Sequence, residues 1–248
     1  MTSSIDAVWA TTCSYLKRFD QPLLKQLRQQ VTIAQWQYQQ TEDEPSSLSI
    51  AVDLLHEFMQ ECDHPVHLIG HGTGGLVSLL YARQYPQKVR SLTLLGVGAW
   101  ASLDWIAHYY FHLQFVPCSR HHVLTQLVSD LFGEQNATVT CYLSRLLEQE
   151  MAVSPSPHNL FQRYNLPPDE VPVPLLLCGS ENDLVVDSRA LKEWEGWMKD
   201  CDRIWLCQDG YHFFHCFYPQ SVAAQVLDFW HDGASASFPS ISSKSCPV

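Results

Sequence analysis

The sequence predicts an α/β fold, a mostly parallel sheet with helices on both faces. Two observations carry that expectation. Short apolar runs alternate with segments whose apolar residues recur at helical spacing, which is how strands joined by crossover helices read in sequence. The chain has 248 residues, 46% of them hydrophobic and 17% charged, enough for one large domain with a real core and too apolar for a disordered or collagen-like chain.

In chain order, the candidate strands are Ala7 to Ala10, Val31 to Trp36, Val66 to Ile69, Leu92 to Val97, Val173 to Cys178 and Ile204 to Cys207. Between them, Leu48, Ala51, Val52, Leu55, Phe58 and Met59 keep the spacing of one helix face, as do Leu76, Leu79 and Leu80, then Leu191, Trp194 and Met198. Val222, Val226 and Phe229 mark a last helix. From about Ala99 to Glu170 no strand candidate occurs, and aromatic and helical material fills the gap. The expected organisation is a core of residues 1–98 and 171–232, a helical cap at 99–170, and a disordered tail at 233–248, where Ser, Pro and small residues bury too little surface to offset chain entropy.

Fifteen Lys and Arg against 26 Asp and Glu leave a net charge of −11. Such a surface repels phosphate polyanions, so neither nucleic acid nor an acidic membrane is expected as a partner. No apolar run reaches the roughly 18 residues of a membrane span. The nine cysteines form no CxxC pair and follow no secretory leader, which predicts reduced thiols in a cytoplasmic protein.

The chemistry-bearing stretch is Val66-His67-Leu68-Ile69-Gly70-His71-Gly72-Thr73-Gly74-Gly75-Leu76, an apolar strand running through a glycine-rich turn into a helix. It resembles the nucleophile elbow of the α/β-hydrolase family, whose pattern is G-x-S-x-G. Two later stretches extend the resemblance. Leu176 to Val185 is similar to the strand and loop presenting the triad acid, with Asp183 the best match and Glu181 a poorer one. Asp209-Gly210-Tyr211-His212-Phe213 is similar to the histidine loop, which assigns the triad histidine to His212 rather than His215. The order of elbow, acid and histidine is that of the family.

Two departures stand beside these matches. The nucleophile position is Gly72, which has no hydroxyl to attack a carbonyl. After the first strand the chain reads Ala10-Thr11-Thr12-Cys13-Ser14, without the His-Gly signature that accompanies the family's oxyanion hole. The resemblance therefore implies a hydrolase-like protein that has lost its serine and binds a small apolar or aromatic ligand, or a protein partner. The alternatives are a nucleophile-independent enzyme, lyase- or cofactor-free-oxygenase-like, with His212 and Asp183 as a general-base dyad, and a serine esterase carrying a substituted nucleophile.

The candidate catalytic positions are thus Gly72, as a vacated nucleophile site, with Asp183 and His212. Candidate ligand contacts are His71 and Thr73 at the elbow, and Trp100 and Trp105 where the pocket wall would begin. Gly72 to Gly75 also open a helix whose free N–H groups suit a carboxylate or phosphate. No cofactor is expected. Nor is a metal, since His108, His112, His121 and His122 have no carboxylate or cysteine at a ligand spacing.

Overall fold

The computed structural model describes residues 4–38, 47–115, 119–156 and 166–235. Strands β1 (Ala7–Thr11), β2 (Ile33–Gln37), β3 (Val66–His71), β4 (Val89–Leu95), β5 (Leu175–Ser180) and β6 (Arg203–Cys207) form one sheet in the order β2-β1-β3-β4-β5-β6, with every pair parallel. Every residue of β1, β3 and β5 is buried, as expected of parallel strands covered on both faces. All six expected strands form, with shifted ends. β4 begins at Val89 rather than Leu92 and stops at Leu95, because Gly96 turns the chain with φ +61°.

The strand order places the site. From β1 the chain steps to β2 on one side and then to β3 on the other, so the connections diverge between β1 and β3 and open a crevice at their carboxyl ends. Ala10 of β1 lies opposite Gly70 of β3 there. The loop after β1 and the turn after β3 therefore meet.

Helices α1 (Gln21–Leu27), α2 (Leu48–Met59), α3 (Gly72–Gln84) and α9 (Pro219–Ser235) cover the sheet. Leu23, Leu24 and Leu27 of α1 pack with Val222, Val226, Phe229 and Trp230 of α9 in one buried cluster, while Leu55 and Met59 of α2 and Leu76 and Leu79 of α3 belong to another. Each such side chain contributes about 1.5–3 kcal/mol by leaving water. Helix α9 runs through Ser235, past Gly233 where composition alone would end it. Residues 236–248 lie outside the described residues.

Among the described residues, three helices lie between β4 and β5: α4 (Trp105–Phe115), α5 (Arg120–Phe132) and α6 (Ala137–Val153). Their boundaries have local causes. The Ser119 hydroxyl accepts from the His122 N–H at 3.3 Å and the Asn136 side chain from the Val139 N–H at 3.0 Å, each satisfying a free donor of a first turn. Gly133 ends α5 with φ +76°. Between β5 and β6 the helical spacing around Leu191 is realised as a short α7 (Ser188–Lys192) and a 3-10 turn (Glu193–Trp197) rather than one longer helix.

Candidate active site

The turn after β3 is tight because its glycines leave room for the backbone to cross itself. A Cβ on Gly74 would lie 2.5 Å from the Ala10 carbonyl oxygen, and one on Gly70 would lie 2.7 Å from the Gly74 backbone. Gly72 has φ +51°, a conformation L side chains adopt only under strain. A Cβ there would meet one neighbour within 4 Å, His212 Nε2 at 3.8 Å. The first atom of a side chain at position 72 would thus stand beside the imidazole, with nothing obstructing it among the described residues.

His212 Nδ1 lies 2.9 Å from Asp183 Oδ2, and both side chains are buried. The carboxylate is fixed from the other side, since Asp183 Oδ1 accepts from the Val185 and Val186 N–H groups at 2.8 and 3.0 Å. A bond from Nδ1–H to the carboxylate leaves the lone pair on Nε2. That Nε2 is buried and has no hydrogen-bond partner among the described residues. Asn182 ties the two loops together: its Oδ1 accepts from the Tyr211 N–H at 2.9 Å and its Nδ2 donates to Asp209. Tyr211 itself sits at φ +54°, so the residue before His212 is held in a sparsely populated conformation. Glu181, the poorer match for the acid, is exposed.

His71 precedes Gly72 and is buried, and its Nε2–H donates to the His212 carbonyl oxygen at 3.0 Å. Burial, then the neighbouring His215 and His212, hold its pKa well below the usual imidazole range. The Thr73 hydroxyl donates to Asp104 Oδ2 at 3.2 Å. Asp104 also accepts from the Ala107 N–H at 2.8 Å, so one buried carboxylate joins the first turn of α4 to the elbow helix. Of the two tryptophans expected near the site, Trp105 is buried in the core with α4, whereas Trp100 is 45% exposed. A groove of about 420 Å³ lies beside β1 and β2, lined in part by Lys17, Arg18, Gln35 and Gln37.

The loop after β1 carries a feature that sequence reasoning missed. Glu150, fully buried on α6, accepts from the Ser14, Tyr15 and Leu16 N–H groups at 3.0, 2.6 and 2.9 Å. The Cys13 N–H donates to Thr11 Oγ1 at 3.2 Å. From Cys13 to Leu16 every backbone donor of this loop is therefore already bound. A second pair was also missed: His215 Nε2 lies 3.1 Å from Asp20 Oδ1, while Trp9 Nε1–H donates to Asp20 Oδ2 at 3.1 Å. Neither carboxylate has a local signature, since Glu150 shares its helix with a second glutamate, Glu148, and Asp20 lies two residues after Lys17-Arg18.

The seven described cysteines are free thiols, and burial raises the pKa of Cys178 and Cys207, which makes them poor nucleophiles. His121 and His122 are exposed; His108 is partly buried and carries a pKa lowered by burial and by His212. No helix among the described residues is long and apolar enough to cross a membrane.

Comparison with known proteins agrees with this fold. The profile of the alpha/beta hydrolase family matches residues 12–225, and the chain belongs to that family. It is 45% identical over 230 residues to the uncharacterized protein alr2406 of Nostoc sp., covering 93% of this chain and 92% of that one. It is also 43% identical over 223 residues to the uncharacterized protein sll0249 of Synechocystis sp., covering 90% and 89%. Among solved structures, naproxen esterase from Bacillus subtilis superposes with a TM-score of 0.69 at 14% identity over 93% of this chain and 85% of its own, a likeness of fold.

Proposed function

We propose that this α/β-hydrolase family member does not run acyl transfer through a serine, and that it binds a small apolar or aromatic ligand above Gly72. The ligand's hydroxyl or N–H group donates to His212 Nε2. The unpartnered Nε2 of this buried histidine carries the reading. A buried acceptor left without a partner costs about 1–3 kcal/mol, and a ligand donor placed where a serine hydroxyl would stand removes that cost. A small ligand fits better than a protein partner, because His212 is 1% exposed and offers a macromolecule no surface.

In this reading residues 99–170 act as the cap, joined to the site by Asp104 at the elbow and Glu150 at the loop after β1. No cofactor is required. The same Nε2 favours one second reading, a general base that removes a proton from an acidic substrate, because Asp183 would stabilise the imidazolium that forms.

The test is a pair of measurements on the parent and on His212→Gln. The parent is expected to leave activated short-chain esters unhydrolysed and a fluorophosphonate probe unattached, and to bind substituted phenols detectably by ligand-observed NMR. His212→Gln should weaken phenol binding at least tenfold. Labelling near the elbow would overturn the non-hydrolytic reading, and unchanged phenol affinity would remove His212 as the contact. Parent-dependent proton exchange at an acidic C–H, lost in the variant, would select the general base.

A further inference from the structure

Beneath the elbow, away from the face where Gly72 meets His212, three buried side chains from three separate segments converge. Asp20 ends the 3-10 turn after β1, His71 ends β3, and His215 lies in the short helix α8 (Phe214–Phe217). Each can present one ligand atom such that all three lie within 4.8 Å of one another. We propose that Asp20, His71 and His215 form a binding site for a divalent transition-metal ion of the zinc class.

Three features carry this proposal. Two imidazoles and one carboxylate are a borderline donor set that suits Zn²⁺ or Co²⁺ and not Mg²⁺ or Ca²⁺. The 3.1 Å between His215 Nε2 and Asp20 Oδ1 is close to the edge of about 3.3 Å between two ligands of tetrahedral zinc. The outer contacts follow the pattern that orients metal ligands: His71 gives its Nε2–H to the His212 carbonyl, which leaves the Nδ1 lone pair available, and the Trp9 indole holds the second oxygen of Asp20.

Occupancy would pin the residue immediately before Gly72 to the loop after β1 and to the segment following His212, fixing the elbow from below. The proposal stands apart from any ligand above Gly72, because neither Gly72 nor the side chain of His212 belongs to the donor set.

All three ligands are buried, so the ion enters as the chain folds, and the test refolds metal-free protein with and without Zn²⁺ or Co²⁺. The parent is expected to retain one equivalent after desalting, and its melting temperature should rise by about 5–10 °C at a hundredfold excess over the dissociation constant. The Co²⁺ form should show visible bands without thiolate charge transfer, which distinguishes this site from adventitious binding at cysteine. His215→Gln and His71→Gln should each weaken retention at least a hundredfold, and either variant suffices if the other fails to fold. His212→Gln should retain the ion. A parent that holds no ion, variants that hold as much as the parent, or a thiolate spectrum would each overturn the proposal.

Discussion

Two buried histidine–carboxylate pairs lie close together, and they differ in where their free nitrogens point. His212 is held by Asp183, whose second oxygen is bound by the N–H groups of its own loop, and its unpartnered Nε2 faces the gap at Gly72. His215 is held by Asp20, whose second oxygen is bound by the Trp9 indole, and its unpartnered Nδ1 belongs to a side chain with no exposure at all. Both pairs satisfy one imidazole nitrogen and strand the other. The first does so above a position without a side chain, as a binding or proton-transfer site requires; the second does so inside the core, among Trp9, His71, Phe213 and Phe214. The first pair thus faces position 72, while the second is enclosed with a further imidazole, His71.

The strongest way to break this comparison is to remove one carboxylate. Asp20→Ala in metal-free protein leaves the Trp9 indole and His215 without their partner, and the expected loss of stability is about 3–5 kcal/mol by urea denaturation. A loss under about 1 kcal/mol would mean that Asp20 does not hold the inner pair together.

A fourth buried histidine sharpens the comparison because it faces a hydroxyl in place of a carboxylate. His67 bonds to Ser91 Oγ at 2.7 Å and stacks on Trp230, and burial pushes its pKa down to about 3. Between that value and about 6.5 the unfolded chain takes a proton that the folded chain refuses. Stability is therefore complete above about pH 6.5 and falls as pH drops toward 3, by at most about 1.4 kcal/mol per pH unit from this residue. His67→Gln should flatten the acid limb of stability against pH by that slope. An unchanged limb would show that His67 accepts a proton without unfolding.

The smallest effect concerns the gap itself. Gly72→Ser places a side chain at φ +51° and should cost about 1–2 kcal/mol, although the Cβ meets no close obstruction. Its hydroxyl would stand within reach of His212, yet ester hydrolysis should stay more than tenfold below that of an ordinary esterase, because the loop donors from Cys13 to Leu16 are already bound. Full hydrolysis would show that other donors hold the oxyanion, each worth about 3 kcal/mol. It would also support the substituted-esterase alternative.

Much of the fold was legible in the sequence. Continuous apolar runs located all six strands, since a strand buried on both faces needs no alternation and the helices between them keep their own period. The helical turn at Leu16–Asp20 and helix α1 were not read, because seven residues of Gln, Pro, Leu and Lys make too short a pattern to stand out. Within the site, Gly72, Asp183 and His212 were placed in order along the chain, and the close pairing of Asp183 with His212 follows that expectation. Trp100 is 45% exposed, and in sequence an aromatic residue after a strand reads the same whether it lines a cavity or faces solvent.

The sequence by itself determined the strands, the glycine turn and the presence of glycine at position 72, because periodicity and residue chemistry are local properties. Only the tertiary structure decided which polar groups are buried together. Asp20 meets His215 across 195 residues and Glu150 meets Leu16 across 134, and in sequence each carboxylate is indistinguishable from a solvated one. The energetic stake of a buried charge depends on its partner, and parallel strands linked by long crossovers bring those partners together from distant parts of the chain.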